Sequence, residues 1–164
     1  MYFARMFMFT CLIGVTPFSI LSAETAQEDV LLTVTHASDA ESSVSFDMAG
    51  LKALESTTFE TTTIWTEGVQ TFTGVPLSTL LADLEIADGT IFASAINDYT
   101  VEIPVSDAVE NGPIIAYELN GQEMSIRDKG PLWVVYPYDR TSAYRTEVIY
   151  SRSIWQLDRI RIEQ

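Results

Sequence analysis

The alternation of apolar and polar positions along the chain predicts mostly short β-strands. Val30, Leu32 and Val34 occupy alternate positions, as in a strand with one buried face that ends at His36. A short extended piece is predicted at 44–46. Further strands are predicted over residues 57–65, 71–73, 90–96, 99–103, 113–119, 131–136 and 159–163. The Asn120-Gly121 pair predicts a tight hairpin turn after the fifth of these.

Two segments have helical spacing instead. Asp47 is a suitable N-cap for a short helix from Met48 to Leu54. Pro76 suits the first position of a second helix over 76–84, in which leucines recur at three- and four-residue steps and form one apolar face. A loop or short helix is predicted over 137–153. Short helices packed on mixed strands indicate an α+β domain with a β-rich mixed sheet.

The first 23 residues have the pattern of a secretory signal peptide. A single cation, Arg5, precedes an apolar run that reaches Ile20, and small residues follow as far as Ala23. A membrane anchor is the alternative, but the run is short and interrupted. We therefore predict cleavage after residue 23, a single domain over 24–164 that is not membrane-embedded, and a periplasmic or secreted location. Because Cys11 lies in the signal, this domain contains no cysteine.

The charge is strongly acidic but unevenly placed. The chain has 23 acidic and 9 basic side chains and a net charge of −14, which argues against binding to nucleic acids or anionic lipids. Seven of the cations lie between Arg127 and the C-terminus. Any anion-binding pocket is therefore expected to use the C-terminal third. The alternative is that these cations pair with the acidic remainder of the domain.

Several classes of catalytic site are excluded by composition. His36 is the single histidine, so neither a serine or cysteine hydrolase triad nor a zinc cluster is available. It is better explained as a surface residue at a strand end. No glycine-rich phosphate loop links a strand to a helix. The sequence therefore predicts no catalytic residue and no metal ligand.

Aromatic and polar residues recur in the predicted loops and form a candidate ligand-binding cleft. Rings of this kind stack on planar ligands, and guanidinium and ammonium groups bind anions. The candidate cleft residues are Trp65, Asn97, Asp98, Tyr99, Arg127, Lys129, Tyr136, Tyr138, Asp139 and Arg145. The alternative interpretation is that these aromatics belong to the core and that the polar residues form turns.

The order of several short motifs resembles the oxidoreductase molybdopterin-binding domain of the sulfite oxidase type. The matching motifs are Phe72-Thr73-Gly74-Val75-Pro76-Leu77, Ala95-Ile96-Asn97-Asp98-Tyr99, Ile103-Pro104, Ile115 to Gly121, Gly130-Pro131-Leu132 through Pro137, and Trp155. The resemblance covers about residues 57–163. It implies a mixed β-rich domain and homologues in which a pterin-bound molybdenum centre oxidises or reduces small oxyanions.

The chain departs from that family at the positions that matter for the metal. The resemblance implies a molybdenum-binding cysteine upstream of the leucine-rich helix, where residues 59–65 read Phe-Glu-Thr-Thr-Thr-Ile-Trp. Trp133 stands where the family often has arginine, and Ile154 stands where a lysine is expected. Threonine hydroxyls bind molybdenum poorly, so no cofactor is expected. A molybdopterin is implied only by the resemblance.

Three hypotheses follow for the function. The leading one is a binding or sensory accessory module that keeps the fold and a cleft for a small planar or anionic ligand, without molybdenum catalysis. The second is a genuine molybdopterin-dependent oxidoreductase that acts on a small anion with a partner subunit. The third is a domain that interacts with a membrane receptor or another periplasmic protein.

Overall fold

Two β-sheets dominate the structure. A computed structural model describes residues 29–37 and 39–164, so the predicted signal peptide lies outside the described residues. The first sheet contains, in spatial order, β2 (Asp39–Phe46), β1 (Leu32–His36), β10 (Leu157–Glu163), β5 (Thr90–Ala95) and β6 (Thr100–Pro104). The second contains β3 (Thr57–Thr62), β4 (Val69–Pro76), β7 (Ile114–Leu119), β8 (Gln122–Glu123) and β9 (Trp133–Val135), with β7 pairing to both β8 and β9.

The first sheet is mixed, as the sequence predicts. β1 pairs with β10 in parallel, with Thr33 opposite Arg159, while the other pairs in this sheet are antiparallel. Ile160 and Ile162, at alternate positions of β10, are both buried, as expected for the predicted strand over 159–163. β2 is longer than the predicted extended piece at 44–46. Its first half lacks an alternating pattern and is recruited by backbone pairing with β1.

Three short α-helices lie within the described residues: α1 (Met48–Ala53), α2 (Leu77–Asp83) and α3 (Glu147–Arg152). The predicted cap of α1 is confirmed, because Asp47 Oδ1 accepts the Gly50 N–H at 2.6 Å. α2 begins one residue later than predicted, since Pro76 still pairs with Ile114 as the last residue of β4. None of the described helices is long and apolar enough to span a membrane.

The two sheets and the helices share one hydrophobic core. Leu32 and Ile160 of the first sheet belong to the same buried cluster as Phe72 and Ile115 of the second. Trp133 is fully buried, and its ring meets Phe72 edge-on at 5.4 Å between centroids. The fold is therefore α+β and β-rich, as predicted.

Two local features near the ends of strands bear on the site. Asn120 and Gly121 both have positive φ angles, 53° and 75°, and connect β7 to β8 as the predicted hairpin. β3 ends at Thr62, three residues before the predicted end. Beyond it the chain turns, because the Thr63 hydroxyl accepts the Trp65 N–H at 3.1 Å and exchanges a hydrogen bond with the Thr66 hydroxyl at 2.8 Å.

Candidate functional site

A pocket of about 340 Å³ opens between the β5–β6 turn, α3 and the segment that leads into β10. A volume of this size suits a small molecule. Most of its lining is aromatic, apolar or uncharged polar. The lining residues are Trp65, Ala95, Asn97, Tyr99, Tyr150, Ser151, Ser153, Ile154, Trp155 and Gln156.

Trp65 connects the pocket to the core. Its ring meets four other aromatic rings edge-on, at centroid distances of 5.7 Å to Trp155, 5.8 Å to Tyr150, 5.8 Å to Trp133 and 6.2 Å to Tyr138. Edge-to-face contacts of this kind hold aromatic side chains in fixed orientations. One wall of the pocket is therefore preformed, while Trp155 remains 38% exposed at its mouth.

The opposite wall is built from tight turns. Asp98 has a φ of 66°, and the Asn97 side-chain oxygen accepts the Tyr99 N–H at 3.2 Å. This turn leaves Tyr99 58% exposed. The Ile96 N–H donates to the Gln156 carbonyl at 3.0 Å, which fixes the β5–β6 turn against the segment before β10.

Several hydrogen-bond donors of the pocket have no protein partner. Within the residues that the structure describes, the indole N–H groups of Trp65 and Trp155 and the hydroxyls of Tyr99 and Tyr150 make no hydrogen bond. The pocket lining also contains no carboxylate. Asp98, beside the lining residue Asn97, is paired with Arg159 at 2.7 Å. The pocket is thus able to donate hydrogen bonds to a ligand without repelling an anion.

Of the ten candidate cleft residues, three line this pocket and three lie beside it. Trp65, Asn97 and Tyr99 are lining residues. Asp98 is next to two of them in sequence. Arg127 and Lys129 belong to a segment attached to the pocket wall, because Gln156 donates its N–H to the Lys129 carbonyl at 3.1 Å and its amide to the Ile126 carbonyl at 2.8 Å.

Tyr136 and Tyr138 are core residues and do not line the pocket. Their exposed fractions are 0% and 2%. The Tyr136 hydroxyl donates to Asp107 at 2.8 Å, and the Tyr138 hydroxyl donates to the Ser153 Oγ at 2.6 Å. Burial raises the pKa of both phenols, that of Tyr138 to about 12. The pattern of the sequence did not separate them from the exposed aromatics, because they stand at the junction between the predicted strand 131–136 and the polar segment that follows it.

Asp139 and Arg145 form a separate network with the end of β3. Asp139 accepts the Thr62 N–H at 2.6 Å and the Thr62 hydroxyl at 2.9 Å, and it pairs with Arg145 at 2.8 Å. The Asp139 N–H in turn donates to the buried Thr61 hydroxyl at 3.1 Å. The hydrogen bond from the Thr62 N–H is the main cause that lowers the pKa of Asp139. These groups satisfy one another and stabilise the chain locally.

Seven lining residues are missing from the candidate set: Ala95, Tyr150, Ser151, Ser153, Ile154, Trp155 and Gln156. Tyr150 and Ser151 belong to α3, in a segment for which the sequence predicts a loop or a short helix. Which way their side chains face was therefore not predictable. Trp155 had a usable signal, since it stands in one of the matching motifs and is followed by a polar residue before the last strand.

A model of the oxidoreductase molybdopterin binding domain matches residues 22–143 of the chain. The match covers about three quarters of the sequence. The chain belongs to this family. The matched range includes the α2 region, the β5–β6 turn and β7, which contain several of the motifs found in the sequence. No curated protein matches the chain.

The residues at the position where the resemblance implies a metal-binding cysteine do not fit a molybdenum centre. In place of a thiolate, Thr61, Thr62 and Thr63 offer hydroxyls that are already engaged with Asp139, a backbone carbonyl and Thr66. The described residues contain no group of three or more histidine, cysteine, aspartate or glutamate side chains that could hold a metal. Trp65 follows these threonines in the sequence and packs against four aromatic rings. The segment is therefore self-satisfied and lacks the soft ligand that the centre requires.

Proposed function

We propose that this chain is a secreted or periplasmic ligand-binding member of the family, which binds a small planar molecule in the pocket formed by Trp65, Tyr99, Tyr150 and Trp155. The module does not carry out molybdenum redox chemistry. A role as a binding or sensory accessory protein agrees with a signal-like first segment followed by one domain.

The observation that carries the proposal is a preformed aromatic wall with unpartnered donors. Trp65 is held by four rings, so little side-chain entropy is lost when a flat ligand packs against it. The free indole and phenol donors recognise acceptors at the edge of such a ligand. Apolar walls with a few oriented polar groups are typical of small-molecule sites.

The threonine segment supplies the second part of the proposal. Metal catalysis in this family depends, by resemblance, on a cysteine that this chain lacks at residues 59–65. The hydroxyls found there are bonded within the protein. A metal that bound these hydroxyls would remove hydrogen-bond donors from Asp139, which costs free energy.

Binding of the neutral fluorescent probe phenylnaphthylamine tests the pocket. We expect saturable binding with fluorescence enhancement, weakened about tenfold or more by Trp155→Ala, because the exposed ring provides part of the stacking surface. Phe92→Ala is the matched control. Phe92 lies on β5 with its ring against Arg161, and it does not line the pocket. Equal binding by wild type and Trp155→Ala would contradict the proposal.

Membership of the family favours one other function, a molybdopterin-dependent oxidoreductase that works with a partner subunit. Elemental analysis of protein purified from its native host separates the two. We expect less than about 0.1 molybdenum per chain. One molybdenum per chain, a visible absorption band and a reductase activity abolished by Thr62→Ala or Thr63→Ala would establish the enzyme and overturn our proposal.

A further inference from the structure

The cations of the described residues differ sharply in their partners. Five of the eight are paired with carboxylates: Lys52, Arg145, Arg152, Arg159 and Arg161. Arg140 donates to the Asn111 carbonyl instead. Arg127 and Lys129 have no carboxylate within 4 Å among the residues that the structure describes. In a chain with 23 acidic side chains, two neighbouring cations without an acidic partner are unexpected.

The segment that carries both unpaired cations is hydrogen-bonded through its backbone to Gln156, a residue of the pocket lining. Lys129 has a φ of 71° at the end of a 3₁₀ turn over Ile126–Asp128, and Gln156 bonds the backbone on both sides of Arg127. The Lys129 ammonium lies 5.8 Å from the Trp133 ring centroid, and that ring contacts both Trp65 and Trp155. The adjacent acid, Asp128, accepts instead from the Ser125 hydroxyl at 2.7 Å.

We infer that the ligand of this pocket is a planar aromatic molecule with a single negative charge, whose ring packs against Trp65, Tyr150 and Trp155 and whose anionic group faces Lys129 and Arg127. This inference rests on the proposed function and adds the charge of the ligand. Lys129 is partly exposed, and an ammonium without a counterion is stabilised when an anion binds next to it.

The acidity of the chain limits the negative charge of the ligand to about one. The net charge is −14, so a ligand with several negative charges is repelled by the surface as a whole. Two cations offset a carboxylate or sulfonate but not the repulsion of a polyphosphate. Zero charge, conversely, leaves both cations without a partner. A monoanion with an aromatic ring satisfies the donors, the rings and the cations together.

A pair of probes with the same rings tests the inference. Anilinonaphthalene sulfonate carries one anionic group, and phenylnaphthylamine has the same ring system without it. We expect Lys129→Gln to weaken binding of the sulfonate about tenfold and binding of the neutral probe less than about twofold. Arg127 is exposed, so Arg127→Gln is expected to weaken the sulfonate about threefold. Raising the ionic strength should weaken only the sulfonate.

Lys52→Gln is the control for total charge, because Lys52 pairs with Glu118 and Glu123 away from the pocket lining. It should leave both affinities unchanged. Thermal melting of each variant confirms that the fold is retained. If both probes bind in a manner that depends on Trp155 but neither Lys129→Gln nor Arg127→Gln affects the sulfonate, the inference is wrong and the proposed function stands. If neither probe binds wild type, the proposed function fails as well.

Discussion

The end of β3 and the aromatic pocket are neighbours in sequence, yet their polar groups are used in opposite ways. At the end of β3, Thr62 donates both its N–H and its hydroxyl to Asp139, which also pairs with Arg145. A few residues later, Trp65 enters a pocket where indole and phenol donors have no partner within the described chain. The first region stabilises the protein and leaves nothing for a ligand. The second leaves its donors without a protein partner, and the proposed ligand would use them.

This difference bears on the proposed function, in which the family scaffold binds a ligand without metal chemistry. Where the sequence resemblance implies a metal-binding cysteine, this chain has hydroxyls that satisfy local backbone and carboxylate groups. Next to it, four edge-to-face contacts orient Trp65 toward an open pocket. Recognition by rings needs no thiolate, so the pocket does not depend on a cysteine at residues 59–65.

The largest expected effect is that of Trp65→Ala, which removes a ring shared by the core and the pocket. We expect the free energy of unfolding to fall by about 3 kcal/mol, because four ring contacts are lost and a cavity is left. Probe binding should be abolished. Urea denaturation measures the first effect and fluorescence titration the second. Trp65→Phe should retain more than half of the contribution that Trp65 makes to the free energy of unfolding. A loss below about 1 kcal/mol for Trp65→Ala would contradict the central position of this ring.

Asp139→Ala comes next and should affect stability alone. The change leaves the Thr62 N–H, the Thr62 hydroxyl and Arg145 without their partner. We expect a loss of about 2 kcal/mol, reduced from the full value of the bonds because the carboxylate is partly exposed. Binding of phenylnaphthylamine should stay within about twofold of wild type. A larger loss of binding at unchanged stability would place Asp139 in the site rather than in the scaffold.

A smaller effect is expected from acid, through the same carboxylate. The hydrogen bond from the Thr62 N–H lowers the pKa of Asp139 in the folded state below its unfolded value of about 3.9. Its stabilisation is therefore present above that value and is lost as the pH falls toward the lower folded pKa. Melting temperatures measured from about pH 6 to pH 2.5 should fall less steeply for Asp139→Asn than for wild type. Glu60→Gln, which removes an exposed acid from β3, should keep the wild-type slope.

The smallest change in stability is expected from Tyr99→Ala, at the mouth of the pocket. Tyr99 is 58% exposed, so the free energy of unfolding should change by less than about 0.5 kcal/mol. Binding of both probes should weaken about threefold through loss of ring contact and of one donor. Isothermal titration checks the binding, and Ile64→Ala, an exposed apolar change outside the pocket lining, should have no effect. Unchanged binding by Tyr99→Ala would remove the β5–β6 turn from the site.

The features that the sequence predicts well are those with local causes. The Asp47 cap acts on Gly50, three residues away, and the Asn120-Gly121 turn depends on two consecutive backbone conformations. The buried leucines of α2 follow from helical spacing. In contrast, the first half of β2 has no pattern of its own, and it becomes a strand because β1 pairs with it.

The candidate site was partly predictable for the same reason. Trp65 and Tyr99 stand at the ends of predicted strands and Asn97 stands between two of them, and all three line the pocket. Tyr136 and Tyr138 stand at the junction between the predicted strand 131–136 and the polar segment after it, and both are buried, with hydroxyls bonded to Asp107 and Ser153. An aromatic residue in a polar segment is equally suited to both positions, so burial is decided by where the segment folds.

By itself, the sequence determined the family, the local elements, the acidic surplus and the lack of a thiolate at residues 59–65. These follow from residue identity and short-range spacing. Only the tertiary structure decided which aromatics face the pocket and which cations lack an acid. The Lys129 carbonyl accepts a hydrogen bond from Gln156 of the pocket lining, whereas Arg145 forms an ion pair with Asp139, although both are cations of the same C-terminal third. The physical reason is that pairing and burial depend on contacts between distant residues, which spacing along the chain does not encode.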